Sequence, residues 1–129
     1  MAKVERFEDF EMWKKARELT KAVYAVTSSG MFNRDFVLRD QARRSAVSIM
    51  ANIAEGFERG GDKEFSQFLA VAKGSCGELR SHLCVAIDQR YLAPAAYQAM
   101  CANAVEVSRM ISGLMRYLRD SRLRGSKYK

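Results

Sequence analysis

The sequence has little of what breaks helices or cross-links a chain. Proline occurs once, at Pro94, in 129 residues, whereas Leu, Ala, Met, Glu, Lys and Arg are plentiful, a balance that favours helix. The three cysteines form no CxxC pair, and an odd number does not complete a disulfide framework. Cys76 and Cys84 would lie about 12 Å apart along one helix, too far to bridge. We therefore expect a helical, reduced, cytoplasmic protein.

Long apolar runs are also missing from the sequence. No segment approaches the roughly 20 apolar residues of a membrane span. Charged residues are scattered through the N-terminal region and leave no uncharged core for a signal peptide. The sequence therefore predicts no membrane association.

Residues that carry catalysis are equally scarce. His82 is the only histidine, and its position between Leu79 and Leu83 suits a packed or surface residue better than a general base. The cysteines lack the close spacing of zinc ligands, and no GxxxxGK[ST] sequence is present. Glu55 and Glu78 are candidate metal carboxylates, but the Glu-x-x-His repeats of di-iron bundles are missing. We therefore expect no enzyme activity, metal or cofactor.

The net charge of +7 is unevenly placed. Residues 115–129 hold six basic side chains against one acidic side chain, a net +5, so the other 114 residues carry only +2. The six basic residues are Arg116, Arg119, Arg122, Arg124, Lys127 and Lys129. With Tyr117 and Tyr128 they are candidates for nucleic-acid contact, because Arg and Lys neutralise phosphates and tyrosines stack on unpaired bases. The alternative is a solvated tail that serves solubility.

Apolar residues recur every three or four positions in four segments, which short polar stretches separate. They predict helices over about 9–27, 35–59, 62–89 and 94–121. Because connections this short make neighbouring helices antiparallel, we predict an all-α, antiparallel up-down-up-down four-helix bundle over residues 1–121. Residues 122–129 form the predicted basic C-terminal tail.

The predicted helix ends are marked by residues that suit caps and turns. Asn33 or Asp35 is expected to cap the second helix. The pair Gly60-Gly61 stops that helix, and Asp62 is expected to cap the third. Pro94 suits the first position of the fourth.

The second predicted helix is apolar on two sides. One stripe faces the core and comprises Leu38, Ala42, Ile49, Ile53 and Phe57. The opposite side comprises Val47, Met50, Ala51 and Ala54. Because a chain this short cannot cover both sides itself, we predict that the second side is a subunit interface or is covered by another partner.

A narrow polar line runs between these two sides. It comprises Arg44, Ser48, Asn52, Glu55 and Arg59, at spacings of three and four residues. We expect it to join Ser75 and Glu78 of the third helix in a buried or half-buried network in which arginine pairs with each carboxylate. One reading is a structural network that fixes helix register and subunit pairing. The other is the lining of a ligand or nucleic-acid groove.

Two glycines, Gly74 and Gly77, lie in the middle of the third predicted helix. Together they cost roughly 2 kcal/mol relative to alanine if nothing compensates. We therefore expect another backbone to approach them closely.

Several segments carry a family resemblance. They are FEDFEMWKKA at 7–16, QARRSAVSI at 41–49, NIAEG at 52–56 with Arg59, and FSQFLAVAKGS at 65–75 with Glu78. Over nearly its whole length, the chain resembles the four-helix-bundle family named after proteins encoded in intervening sequences of 23S ribosomal RNA genes. The resemblance implies a small bacterial cytoplasmic protein that forms a closed homopentamer. Structural relatives of the family include the accessory protein of diversity-generating retroelements, a basic pentamer that binds nucleic acid and a reverse transcriptase.

The sequence and the resemblance together predict a non-enzymatic homo-oligomer that associates with nucleic acid, in the first place RNA. Low sequence specificity is expected, because the sequence has no RRM, KH or helix-turn-helix signature. The expected partners are copies of the chain itself, and RNA or a reverse-transcriptase-like protein. The competing hypothesis is a structural or protein-binding scaffold with no nucleic-acid role.

Overall fold

A computed structural model describes residues 4–127, with side chains described up to residue 121. Its helices are α1 (Glu11–Thr27), α2 (Gly30–Arg34), α3 (Phe36–Glu58), α4 (Asp62–Asp88) and α5 (Pro94–Lys127), and a 3₁₀ turn at Phe7–Asp9 precedes them. Within these residues there is no strand, so the all-α class predicted from the sequence is confirmed. No helix in the described part of the chain is long and apolar enough to cross a membrane.

Each of the four long helices packs against two others. Helix α3 lies against α1 and α4, and α5 lies against α4 and α1. Along α3 and α4 the contacts run in opposite directions, because Ser48 bonds Ser75 whereas Gly56, further along α3, packs against Phe68, earlier in α4. The two helices are therefore antiparallel.

The core lies where the apolar faces of the four long helices meet. The stripe predicted on α3 is largely confirmed, since Leu38, Ala42, Ile49 and Ile53 are buried and Phe57 packs partly buried against them. The largest fully buried side chains elsewhere include Leu19, Val23, Phe32, Leu69, Leu79, Leu83, Val107 and Ile111. Burial of such side chains is worth roughly 1.5–3 kcal/mol each and supplies most of the stability of the fold.

Asp35 connects the start of α3 to the turn between α4 and α5. One carboxylate oxygen accepts a hydrogen bond from the Leu38 backbone N–H at 3.1 Å, which caps α3 as predicted. The other accepts the Tyr91 hydroxyl at 3.1 Å, and this bond raises the pKa of Tyr91. The N-cap therefore also holds the turn between α4 and α5.

The prediction that Asp62 caps α4 is wrong. Gly60 turns the chain with φ +85, Gly61 occupies the N-cap position, and Asp62 is the first helical residue. The left-handed conformation at Gly60 is one that glycine adopts without steric cost. Asp62 still favours the helix, because a negative charge in the first turn interacts well with the helix dipole.

Two features of the helices were not predicted. The polar stretch after α1 contains α2, a single short helix that inserts the fully buried Phe32 into the core. Helix α5 continues to Lys127, so the backbone of the predicted tail is helical over 122–127.

Gly74 and Gly77 have no close neighbour within the chain. A β carbon built on either glycine meets nothing within 4 Å, so the expected approach of another backbone is wrong for the single chain. The tight contact lies instead at Gly56, on α3.

Candidate assembly and nucleic-acid surfaces

The middle of the polar line forms a small hydrogen-bonded seam between α3 and α4. The hydroxyls of Ser48 and Ser75 lie 2.9 Å apart. Asn52 Nδ2 donates to the Ser48 carbonyl at 2.8 Å and to the Ser48 hydroxyl at 3.0 Å. All three side chains are half-buried. The sequence-predicted residues therefore meet here, and the Ser48–Ser75 bond joins α3 to α4 at a fixed register, whereas the Asn52 bonds lie within α3.

The charged end of the line lies largely in solvent. Arg59 Nη2 donates to Glu55 at 2.8 Å, and this bond raises the pKa of Arg59. Its Nη1 lies 3.6 Å from Glu64, and the guanidinium stacks 5.2 Å from the centre of the Phe68 ring. The expected pairing of Glu55 with arginine is present, but both side chains are about half exposed. Such an ion pair contributes little to stability.

Glu78 does not pair with arginine, so the expectation of a buried Arg-carboxylate network is wrong for this residue. Its carboxylate accepts a hydrogen bond from the buried Ser45 hydroxyl and lies 3.8 Å from His82 Nε2. The Glu78 side chain remains 58% exposed. Ser45 was missed by the sequence reasoning, although a serine within the apolar stripe of α3 is an available signal for a buried polar contact. Arg44, in turn, is exposed and forms no ion pair within residues 4–121.

The second apolar side of α3 lies at the surface of the single chain. Val47 is 42% exposed and Ala51 is also exposed, whereas Ala54 and Met50 are partly buried, with Met50 packed against the core. These are the four residues predicted to form an interface. The chain itself covers Met50 and Ala54 in part and leaves Val47 and Ala51 exposed.

Further exposed apolar residues were missed from the sequence. On α4, Val71 and Val85 are about half exposed. At the Asp35 end of the molecule, Met31, Phe36 and Val37 are more exposed still, and Val37 reaches 75%. The periodic pattern placed Phe36 and Val37 in the first turn of the second predicted helix. It could not show that the other helices leave this turn exposed. We call Met31, Phe36 and Val37 the apolar end patch.

The basic residues on α5 that the structure describes lie at the opposite end of the molecule. Arg116 and Arg119 are exposed beside α4, and Tyr117 is 41% exposed. Leu118, between them, belongs to the core, so this part of α5 is integral to the fold. The predicted nucleic-acid residues with side chains outside the described part are Arg122, Arg124, Lys127 and Lys129.

Tyr117 also lines a cavity of about 430 Å³ at this end. Three phenylalanines from different elements, Phe10, Phe57 and Phe65, line the same cavity, and their ring centres lie 5.5 to 6.0 Å apart. Such edge-on and tilted arrangements are favourable for aromatic rings. The cluster therefore lies at the same end of the bundle as Tyr117 and Leu118.

The cysteines occupy different environments on α4 and α5. Burial raises the pKa of the Cys76 thiol to about 11. Cys84 Sγ lies 3.2 Å from the Tyr97 hydroxyl, and this contact raises the pKa of Tyr97 to about 12. Burial also raises the pKa of Cys101. The shifts of Cys76 and Cys101 keep these thiols protonated at neutral pH, which is typical of structural cysteines. Among the described residues, no group of three His, Cys, Asp or Glu side chains is arranged to hold a metal.

Comparison with known proteins identifies the family. A protein from the S23 ribosomal protein family of Bacteroides thetaiotaomicron VPI-5482, of unknown function, has a similar fold, with a TM-score of 0.73 at 21% sequence identity over 81% of this chain and 97% of that one. No functionally curated protein matches the sequence. The family model of the 23S rRNA-intervening sequence proteins matches residues 8–113. The chain therefore belongs to the family of 23S rRNA-intervening sequence proteins.

Proposed function

We propose that this protein is a non-enzymatic homo-oligomer, built from up-down-up-down four-helix bundles, that associates with RNA with low sequence specificity. The observation that carries the RNA association is the concentration of positive charge near the C-terminal end of the sequence. Residues 115–129 hold a net +5 of the total +7. Arg116 and Arg119 are exposed at the start of this run. A surface of this kind attracts the phosphate backbone whatever the base sequence.

The proposed oligomer rests on the second apolar side of α3. Val47 and Ala51 are exposed on that side although both are apolar. A second copy of the chain is the simplest cover for such a surface, because closed assemblies of identical chains are the commonest kind. The subunit number of five comes from the family resemblance alone.

Assembly would strengthen weak contacts with RNA. Each subunit contributes one basic α5, and a strand that binds one subunit is held at a high effective concentration near the others. A cyclic homopentamer would therefore bind a long strand much more tightly than a single chain does. Short strands that reach only one subunit would gain nothing.

RNA is the nucleic acid to test first because Tyr117, exposed between Arg116 and Arg119, can stack on the unpaired bases of a single strand. The absence of an RRM, KH or helix-turn-helix signature from the sequence supports contact with the backbone rather than reading of base edges. A cytoplasmic location suits the same proposal, since the three cysteines are free thiols.

RNA binding measured across salt concentrations tests this proposal. The useful variant ends at Ser121, because deletion of the whole basic run from Arg116 onward would also remove the core residue Leu118. It lacks the four basic residues of 122–129. On single-stranded RNA, the slope of log K against log salt should flatten by about 0.7 for each phosphate that the shortened chain no longer neutralises. Absent binding, or binding that does not depend on salt, would contradict the proposal.

A scaffold that binds another protein is the second candidate function. The apolar end patch favours it, because its three residues are close in sequence and are each at least 60% exposed, at the end opposite to the basic one. Phe36 is also stacked under the Arg39 guanidinium at 4.8 Å, and aromatic and arginine side chains are enriched at protein interfaces. A protein that assembles but binds no RNA at low salt would support this candidate.

A further inference from the structure

A cleft between α4 and α5 is lined by donors of hydrogen bonds. Its volume is about 340 Å³, and its lining residues are Ser66, Lys73, Ser112, Met115, Arg116 and Arg119. Three of these six side chains are positive and none is negative. The composition of the lining therefore favours an anion.

The positive charges of the cleft are only partly compensated. Arg119 Nε lies 3.6 Å from Asp120 Oδ1. Lys73 and Arg116 form no ion pair within residues 4–121. Because like charges that share a cleft repel each other, an anion bound between them would be stabilised by both.

Ser66 adds an independent observation. Its hydroxyl oxygen is buried and has no hydrogen-bond partner within the described residues. A serine in a helix commonly returns its hydroxyl to a carbonyl of the preceding turn, and a buried hydroxyl without any partner is unfavourable. Ser66 lines the cleft, and rotation of its side chain would let the hydroxyl donate to an oxygen atom of a bound anion. Ser112, from the facing helix, supplies a second hydroxyl to the same cleft.

The mixture of donors identifies the class of anion. Guanidinium, ammonium and hydroxyl groups of two helices line the cleft, and such a set of donors suits a tetrahedral group with several acceptor oxygens. The lining holds no aromatic ring on which a base could stack. We propose that the cleft between α4 and α5 is a phosphate-binding site, and that, given the proposed RNA association, its occupant is a phosphate of the RNA backbone.

Lys73→Gln tests the site directly. Lys63→Gln is the matched control, because Lys63 is exposed on the same helix and does not line the cleft. For an oligouridine strand short enough to reach only one subunit, removing one phosphate contact should lower the salt slope by about 0.7, which corresponds to roughly five-fold weaker binding at about 0.1 M salt. Lys63→Gln should change neither quantity. Arg116→Gln removes a positive charge of the cleft from α5 and should lower the salt slope and the affinity in the same way. Circular dichroism establishes that each variant is folded.

Ser66→Ala separates a phosphate contact from a general loss of charge. The substitution removes a hydroxyl with no partner among the described residues, so the melting temperature of the ligand-free protein should stay the same or rise. RNA binding should nevertheless weaken, with an unchanged salt slope. A variant that binds RNA as well as the native chain would overturn the role of this hydroxyl and the geometry proposed for the site.

Inorganic phosphate distinguishes a failure of this site from a failure of the proposed function. At constant ionic strength, phosphate in place of chloride should raise the melting temperature of the native chain and of Lys63→Gln by more than that of Lys73→Gln, because phosphate stabilises all three chains by exclusion but binds only to the intact cleft. RNA binding that is unaffected by Lys73→Gln and Arg116→Gln overturns the site and leaves the proposed function standing. A phosphate effect without RNA binding supports the site and overturns the RNA association. If phosphate has no such effect and the protein binds no RNA, both the phosphate site and the RNA association are overturned.

Discussion

Gly56 on α3 packs directly against Phe68 on α4. A β carbon at position 56 would lie 2.6 Å from the Phe68 β carbon and 3.0 Å from Cδ1 of Phe65. Atoms cannot remain that close, so a glycine is required for the two helices to approach at this point. The contact lies near the aromatic cluster and fixes the spacing of α3 and α4 at the basic end of the molecule.

Replacement of this glycine should destabilise the protein. Gly56→Ala forces α3 and α4 apart, and overpacking of this kind typically costs about 1–3 kcal/mol in the free energy of unfolding. Chemical denaturation monitored by circular dichroism measures the loss.

Gly77→Ala is the matched control for Gly56→Ala. A β carbon there meets nothing within 4 Å in the chain, so the gain in helix propensity should stabilise the fold by up to about 1 kcal/mol. Equal effects of the two substitutions would show that the close contact at Gly56 does not limit the packing.

The side chain of Thr27 should contribute more to the free energy of unfolding than that of Thr20, although both are threonines of α1. Thr27 Oγ1 accepts a hydrogen bond from Arg43 Nε at 2.8 Å in a fully buried position. Thr27→Val leaves that guanidinium donor without its partner, at an expected cost of about 1–3 kcal/mol. Thr20 only donates to backbone carbonyls, of Ala16 and Ala46, so Thr20→Val should cost less. Parallel urea denaturation of the two variants measures the difference, and a larger loss for Thr20→Val would contradict this assignment.

Stability should fall in alkaline solution because of Cys76. Burial raises the pKa of this thiol from 9.0 to about 11, so between these pH values the unfolded chain loses a proton that the folded chain retains. The free energy of unfolding therefore falls as pH rises, by up to about 1.4 kcal/mol per pH unit from this group. Cys76→Ala should flatten the decline between pH 9 and 10, measured by denaturation at each pH.

The control for this pH dependence is Cys84→Ala. Cys84 is exposed, and its contact with Tyr97 affects stability mainly above pH 10, where the tyrosine of the unfolded chain loses its proton. Removal of Cys84 should therefore leave the decline between pH 9 and 10 in place. An identical decline in the native chain and in Cys76→Ala would mean that the buried thiol does not titrate as described.

Substitutions at two neighbouring positions of α3 should have different effects if the second apolar side is an interface. Ile53 is fully buried in the core, whereas Ala51 is exposed on the second apolar side. Ile53→Arg buries a charge without a partner and should abolish folding. Ala51→Arg should leave the chain folded but give smaller species in size-exclusion chromatography. The control is Ala25→Arg, at an exposed position of α1, which should change neither the fold nor the size of the assembly. If Ala51→Arg assembles like the native chain, the second apolar side of α3 is not the interface.

The long helices could be predicted because their signals are local. The apolar stripe of α3 from Leu38 to Ile53 repeats at helical spacing, and Pro94 marks the start of α5 as its fixed geometry requires. Helix α2 was missed because five residues are too few for a periodic pattern.

The candidate site depends on pairings that periodicity leaves open. Ser45 bonds Glu78, and Lys73 shares a cleft with Arg116, only because of the particular register and rotation of the helices that carry them. A rotation of one helix by one residue would replace each of these contacts. The predicted line from Ser48 to Asn52 was recovered because both residues lie on the same helix, where spacing alone places them together.

Sedimentation velocity of the native chain at micromolar concentration tests the central claim most directly, because assembly through the second apolar side of α3 underlies the multivalent RNA binding. We predict a single assembled species several times the 14.6 kDa mass of one chain, and five times that mass if the family's subunit number applies. A compact monomer of 14.6 kDa would contradict the account.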